Sequence, residues 1–283
     1  MASPTRPVTT LDKNDVLPAL FASWEALEHF LTDLPDERWR TPTALPGWSV
    51  HDVASHVIGT ESMLLGQPIP EADVDLEALE HVHNGIGQLN ECWVRYLRGE
   101  TPDEMRRRMG DITAQRTTML TNMAEDAWNA VTATPAGPDS YGRFMRVRIF
   151  DCWMHEHDIR DALGVPASDD ELAGIAAQRA LDELAASMGF VVGKLGKAPE
   201  GARVALELTG PLQRTIRVAV DGRAALVDDF GGAEPTVSIR LDGLQFTRLC
   251  GGRPMSTARS ADIEVSGDHE VGRRIVDNLA FVI

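Results

Sequence analysis

The sequence predicts a protein of two parts, an all-helical bundle over residues 1–166 followed by a small α+β domain over residues 167–283. Apolar residues in the first part recur at intervals of three and four, which is typical of helices that pack in a bundle. After residue 166 the pattern changes to short runs of alternating apolar and polar residues, bounded by Gly and Asp, as in antiparallel strands. A chain of 283 residues is long enough for both parts to bury a core.

Five helices and no strands are expected in the first part. Ser49, with Asp52 three residues later, is close to a capping box and predicts the start of the second helix. Thr101, followed by a proline and then an acidic residue, gives a similar start signal for the fourth. The expected helices span about residues 14–34, 50–65, 75–98, 101 onward and 140–163.

The second part is expected to begin with a helix over about residues 169–195 and to continue as a sheet with two further helices. These helices are predicted near residues 242–250 and 268–279. The alternating runs predicted as strands are ARVALELTG, TIRVAVDG, AALVDD, TVSIRLDG and ADIEVSG.

The chain is acidic, with a formal net charge of -16. A negative field of this size repels nucleic acid and anionic lipid surfaces. No apolar run is long enough to span a bilayer, and the first residues, MASPTRPVTTLDKND, lack an apolar signal core. We therefore expect a cytoplasmic protein without a nucleic-acid or membrane partner.

The three cysteines are Cys92, Cys152 and Cys250, and no two of them form a CxxC pair. Such an odd, sparse set argues against a disulfide framework and against a zinc site built from thiolates. Cys152 follows Asp151 directly, but neighbouring residues of a helix point about 100° apart. We therefore interpret Cys152 as a buried core residue and not as a nucleophile.

One group of residues has the spacing of a metal site. Asp151 and His155 are four residues apart, so they lie one turn apart on the same helix face. His56 lies in the middle of the second helix, on a face that is expected to point into the bundle. A carboxylate and two imidazoles can hold one divalent ion and leave positions open. From spacing alone, a hydrogen-bonded Asp–His pair and a core histidine remain alternatives.

Two segments resemble a known family: LPGWSVHDVASHVIG at 45–59 and RVRIFDCWMHEHDIRDALG at 146–164. They are similar to the mycothiol-dependent maleylpyruvate isomerase family, within the DinB-like metal-binding helical bundles. The resemblance implies a four-helix bundle in which His56, Asp151 and His155 bind a divalent metal, expected to be zinc. The family commonly has Glu where this chain has Asp151, and the shorter arm would draw the ion toward its helix or weaken binding. Residues 240–283 resemble the C-terminal domain of these proteins, which is related to sterol carrier protein type two.

The resemblance also implies a function. Mycothiol, a low-molecular-weight thiol, would be the co-substrate and would act as a nucleophile toward a small electrophilic substrate. The reaction would be either thiol transfer or isomerisation of an unsaturated acid. Two alternatives stay open: a metal-dependent hydrolase that uses water in place of the thiol, and a non-catalytic protein that binds a ligand in its second domain.

Three further residues are candidates for binding or catalysis. Trp48 and Trp153 flank the two motifs and are expected to line the pocket that receives the thiol. Arg253, in the sequence GGRP of the second part, is the candidate catalytic residue that would meet an anionic substrate. A surface arginine near a turn is the alternative interpretation of Arg253.

Asp158 lies one turn beyond His155, so it can either orient the imidazole ring or pair with a nearby arginine. Other polar residues near the motifs are predicted to be exposed to solvent. They are His51, Asp52, Glu61, Glu156 and His157.

Overall fold

The computed structural model describes residues 7–72, 74–253 and 262–282. The chain divides into two compact units, Met1–Pro166 and Ala167–Ile283. The first unit is mostly helical and the second contains a five-stranded sheet, which confirms the predicted fold class. Among the described residues, no helix has both the length and the apolar character needed to cross a membrane.

The described part of the first unit contains six α-helices, and four of them make the predicted bundle. Helices α1, α2, α4 and α6 close a ring in which α1 contacts α4 and α6, and α2 contacts the same two helices, while α3 packs on the outside of α2. The helices are α1 Lys13–Thr32, α2 Val50–Leu64, α3 Gly85–Leu97, α4 Pro102–Thr121, α5 Glu125–Trp128 and α6 Tyr141–Leu163.

Helices α2 and α4 begin with side-chain caps at the positions that the sequence predicts. Ser49 and Asp52 form a complete capping box at the start of α2, and Thr101 begins α4 with another. At the other end of α6, Gly164 has a φ of 69°, the left-handed conformation that glycine adopts without strain. These caps fix the ends of α2 and α6, which carry the residues of the predicted metal site.

Two predictions about the secondary structure of the first unit are wrong. The helix expected over residues 75–98 begins only at Gly85, because Asn84 caps α3 by accepting from the Gly87 amide, and residues 76–78 form a separate 3-10 turn. A short strand pair also occurs, between β1 Val131–Thr132 and β2 Asp139–Ser140. A turn in which the Gly137 amide donates to the Thr134 carbonyl reverses the chain between them.

The second unit is a sheet with helices packed on it. Its strands lie in the order β5-β4-β3-β6-β7. The strands are β3 Arg203–Thr209, β4 Arg214–Asp221, β5 Arg223–Leu226, β6 Val237–Asp242 and β7 Glu264–Gly267. The helices are α7 Asp169–Ala173, α8 Ile175–Phe190, which continues as a π-helical turn over Val191–Leu195, α9 Gly243–Cys250 and α10 His269–Asp277.

The prediction of antiparallel strands is wrong for the pair β3 and β6, which run parallel, with Val204 opposite Val237. Apolar and polar residues can alternate along parallel and antiparallel strands alike, so this alternation does not predict the direction of a strand. The helix expected over residues 169–195 is interrupted at Gly174, whose extended backbone begins α8. Of the predicted strand ADIEVSG, Ala261 lies outside the described residues.

Gly59 allows α2 and α3 to pack closely, so a larger residue at this position is expected to destabilise the protein. A Cβ at Gly59 would lie 2.3 Å from the Cβ of Trp93. Gly59→Ala is therefore expected to lower the free energy of unfolding by about 1–3 kcal/mol through overpacking, measured by urea denaturation. Gly110→Ala is the control: a Cβ there has nothing within 4 Å, inside α4. This control is expected to stabilise the protein by about 0.5–1 kcal/mol, and equal effects of the two variants would contradict the packing argument.

Asp139 fixes the start of α6 and holds the N-terminal segment against it. Its carboxylate accepts from the Thr9 amide at 2.6 Å and from Arg143 Nη1 at 2.9 Å. Burial alone would raise the pKa of Asp139, but the hydrogen bonds from Thr9, Arg143 and Ser140 outweigh it and lower the pKa to about 2. The ionised carboxylate therefore stabilises the folded state.

Asp139→Asn is expected to lower the free energy of unfolding by about 2 kcal/mol at pH 7, since one pKa unit corresponds to about 1.4 kcal/mol. A depressed pKa gives stability that is fully present above the pKa of the unfolded chain and is lost as the pH falls toward 2. The difference between wild type and variant should shrink below about pH 4. Urea denaturation from pH 7 to pH 3 measures it, with exposed Asp33→Asn as the control. A pH-independent difference would contradict the prediction.

Candidate metal centre

His56 of α2 and Asp151 and His155 of α6 converge on one point. Each offers a ligand atom, and these atoms lie within 4.8 Å of one another. His56 Nε2 is 3.1 Å from Asp151 Oδ2, and His155 Nε2 is 3.6 Å from Asp151 Oδ1. Tetrahedral zinc ligands at about 2.0–2.2 Å from the ion lie roughly 3.3–3.6 Å from each other. The atoms of the three side chains are close enough that small side-chain movements would bring them around a single divalent ion.

The ring of His155 is oriented by Asp158, which is buried and lies 3.0 Å from Nδ1 through its Oδ2 atom. This contact is the one that the orienting role of Asp158 requires. A neutral imidazole has one proton, and a proton on Nδ1 leaves the lone pair of Nε2 directed at Asp151. Two lone pairs that face each other repel, and a cation between them removes the repulsion. This arrangement of ligand and orienting carboxylate is common around zinc.

His56 is buried and makes a different set of contacts. Burial lowers the pKa of its imidazole, and the charge of Asp151 opposes this shift only in part. The ring is therefore neutral near pH 7, the form that binds a metal. Its Nδ1 atom is buried and has no hydrogen-bond partner among the described residues. Unlike His155, His56 is thus oriented by packing and by its contact with Asp151.

Asp151 is ionised in this environment. Burial would raise the pKa of its carboxyl group, but the Arg148 guanidinium, together with His56 and His155, holds that pKa well below its usual range. Arg148 Nη1 donates to Asp151 Oδ2 from one turn earlier on α6. His56, Asp151 and His155, the triad, therefore provide one ionised carboxylate and two imidazoles, a donor set that suits zinc and leaves positions open.

Behind Asp151 lies a buried network of charges that the sequence analysis missed. Arg148 Nε donates to Glu61 Oε1 at 2.9 Å, and Arg116 Nε of α4 donates to Glu61 Oε2 at 2.8 Å. Both Glu61 and Arg116 are fully buried. The predicted exposure of Glu61 is wrong, because α4 and α6 pack against this part of α2. Arg148, three residues before Asp151, was detectable from helical spacing, whereas its partner on another helix was not.

The other residues predicted to be exposed near the motifs are buried as well. His51 Nε2 lies 3.1 Å from the carbonyl oxygen of Glu100, and its ring packs against Trp39. Asp52 caps α2 and accepts from Arg98 Nε at 2.9 Å. Helices α2 and α6 each contact several other elements of the first unit, and these contacts also cover their polar faces. The predictions of exposure are therefore wrong for His51, Asp52, Glu61, Glu156 and His157.

Trp48 lies at the triad, whereas Trp153 does not. The Trp48 ring is 5.4 Å from the ring of His56 and 6.2 Å from that of His155, measured between centroids. Trp153 is two residues beyond Asp151, about 200° around α6, and its ring packs against His157. Arg253, half-buried after α9 in the second unit, donates through Nη1 to the Gly251 carbonyl at 2.6 Å.

Cys152 and Cys250 are not poised for chemistry. Cys152 is fully buried, and burial raises the pKa of its thiol to about 12, against the opposing charge of Arg148. Burial also raises the pKa of the Cys250 thiol well above its ordinary value. A thiolate at either position is disfavoured. The interpretation of Cys152 as a core residue is confirmed.

Comparisons with known proteins agree with this architecture. A model of the mycothiol maleylpyruvate isomerase N-terminal domain matches residues 20–160, and one of the MDMPI C-terminal domain matches residues 178–274. A crystal structure of the mycothiol-dependent maleylpyruvate isomerase superposes with a TM-score of 0.59 at 17% identity, over 90% of this chain and 93% of the other. A histidine-to-alanine variant of that enzyme gives a TM-score of 0.58 at 17% identity, with the same coverage of both chains.

An uncharacterized protein of Mycobacterium tuberculosis, from strains CDC 1551 and H37Rv, is 26% identical to this chain over 194 residues. The alignment covers 68% of this chain and 72% of the relative. The solved structures share the fold, and the two domain models together extend over most of both structural units. The chain belongs to the mycothiol-dependent maleylpyruvate isomerase family.

Proposed function

We propose that this chain binds a divalent metal, zinc, through His56, Asp151 and His155 and uses mycothiol as co-substrate in a reaction on a small electrophile. The observation that carries the proposal is the convergence of three ligand atoms within 4.8 Å, in a chain of a mycothiol-dependent family. Two neutral imidazoles and one carboxylate form a donor set that leaves coordination positions open. The reaction is either thiol transfer or isomerisation.

The residues of the site prepare it for a thiol. Asp158 holds the Nδ1 proton of His155, so that Nε2 offers a lone pair to the ion. Burial keeps His56 neutral for the same purpose. Zinc, when bound, supplies positive charge that lowers the pKa of an incoming thiol. Trp48 covers one side of the two imidazoles and reduces the access of water from that side.

The reacting thiol in this proposal comes from outside the protein. Cys152 is buried with a pKa raised to about 12, and Arg148 Nη2 donates to its sulfur at 3.4 Å. A co-substrate thiol is consistent with the family to which the chain belongs. Arg253 is our candidate for contact with an anionic group of the electrophile, since a guanidinium binds carboxylates in a fixed geometry.

The two reactions share a first step. The sulfur forms a bond to an electrophilic carbon of the substrate, and the proton released by the thiol leaves to solvent. In transfer, either the bond from that carbon to a leaving group breaks and the group departs with the electron pair, or the thiolate adds to an activated double bond, the neighbouring carbon takes up a proton from solvent, and the adduct is the product. In isomerisation of an unsaturated acid, addition converts the double bond to a single bond, rotation follows, and elimination of the thiol restores the double bond in the other configuration.

The ligand set makes a prediction about metal content. The protein refolded with zinc should retain one ion per chain in elemental analysis, while His56→Ala and His155→Ala should retain almost none. Asp158→Asn should weaken zinc binding about 10–100-fold, because the ring of His155 then meets a neutral amide instead of the orienting carboxylate. Exposed His29→Ala on α1 is the control and should bind zinc like wild type. Full zinc retention in His155→Ala would remove the metal site from the proposal.

Thiol binding makes a separate prediction. The zinc-loaded protein should bind mycothiol and release a proton, because the pKa of the thiol falls at the site. Calorimetry in buffers of different ionisation enthalpy measures that proton. S-methylated mycothiol, which has no thiol proton, and the His155→Ala variant are the controls, and neither should release one. A zinc-loaded protein that binds no thiol would instead favour the hydrolase or the non-catalytic binding protein.

A further inference from the structure

We propose that Glu91 is a positioning residue of the thiol site, which holds the Trp48 indole against both metal-binding imidazoles and joins it to the segment of residues 66–84. The inference rests on the proposed function, since it concerns the wall of the same site. Glu91 belongs to α3, outside the four-helix ring, and neither the spacing of motifs nor the resemblance pointed to it.

Glu91 is buried, with 1% of its surface exposed, yet its carboxylate meets donors from several parts of the chain. Its Oε1 atom accepts from Trp48 Nε1 at 2.6 Å and lies 2.9 Å from His81 Nε2. Its Oε2 atom is 3.2 Å from Arg95 Nε, one turn later on α3, in an ion pair that lacks hydrogen-bond geometry. A buried carboxylate is costly unless such partners satisfy it. The position of this carboxylate is therefore tied to that of its partners.

The Trp48 contact fixes the orientation of a ring at the metal site. The turn that carries Trp48 is held by Thr43, whose amide and hydroxyl both donate to the Trp48 carbonyl, at 2.9 and 2.8 Å. Those bonds hold the backbone, and the bond to Glu91 holds the side chain. The indole is tilted by 36° from the ring of His56 and by 38° from that of His155. It thus covers both imidazoles at once.

His81 connects the same oxygen to a segment outside the bundle. Residues 66–84 join α2 to α3, and the described ones form one 3-10 turn and otherwise irregular backbone. His81 also packs against the turn of Trp48: a Cβ on Gly47, which has a φ of 79°, would lie 3.0 Å from the imidazole. Through one carboxylate oxygen, Glu91 therefore links this segment to the indole.

The contacts of Glu91 predict that it affects the binding of the thiol and not the binding of the metal. Glu91 contacts Trp48 and His81, whereas the ligand atoms are oriented by Asp158 and Arg148. Loss of Glu91 should therefore free the indole and weaken the binding of mycothiol, while zinc binding is retained. The rate of the chemical step should change little, since Glu91 acts through Trp48.

The test compares Glu91→Leu and Glu91→Gln in the zinc-loaded full-length protein. NMR of protein labelled with 15N in its six tryptophans resolves the indole N–H signals, and Trp48→Phe identifies the relevant one. In Glu91→Leu that signal should move, because the hydrogen bond to a carboxylate is gone, and KM for mycothiol should rise about tenfold with kcat and zinc affinity unchanged. Glu91→Gln keeps an acceptor oxygen and should restore most of the wild-type KM.

Exposed Glu80, adjacent to His81, supplies the control for loss of charge: Glu80→Gln should change neither the indole signal nor KM. An unmoved Trp48 signal in Glu91→Leu would overturn the proposal, and so would a loss of zinc affinity in Glu91→Gln. The NMR measurement needs no turnover. If the unaltered protein processes no thiol, the proposed function fails, and the Trp48 signal still decides whether Glu91 positions the indole.

Discussion

A carboxylate buried between two arginines determines how the ligand helices meet. Glu61 of α2 accepts hydrogen bonds from Arg116 of α4 and Arg148 of α6, and each of these side chains is at most 3% exposed. Desolvating such charges is costly unless their geometry pairs them well. The three helices are therefore held in the register that satisfies this pairing. Since the metal-site residues lie on α2 and α6, their convergence depends on the same register.

The network also holds the short side chain of Asp151 in place. Arg148 holds the shorter Asp151 side chain from one turn earlier on α6, in a place where its oxygens face both imidazoles. The guanidinium offsets part of the carboxylate charge, which weakens the attraction for a cation. By the same argument, an ion bound there retains more of its positive charge and lowers the pKa of a thiol more strongly. Affinity and activation of the thiol are thus expected to change in opposite directions.

Much of the bundle could be predicted from sequence because the signals are local. Ser49 and Thr101 cap their helices through residues three positions later, and Asp151 and His155 share a helix face by spacing alone. Contacts between elements could not be predicted in this way. The periodicity of α2 identifies an inward face but not the second and third neighbours that bury Glu61, and alternation along β3 does not specify that β6 runs parallel to it.

Buried polar and charged residues are concentrated around the candidate site. Most of the buried polar and charged residues in the described structure lie on α2 and α6, the two helices that carry the proposed ligands. Buried charges are tolerated where partners satisfy them, and a fold that needed only stability could replace them with apolar residues. Asp158 and Glu91 show what these charges do here, for one orients an imidazole and the other an indole beside it. The polar interior of this bundle is therefore best understood as the support of a site whose side chains must be held in fixed orientations.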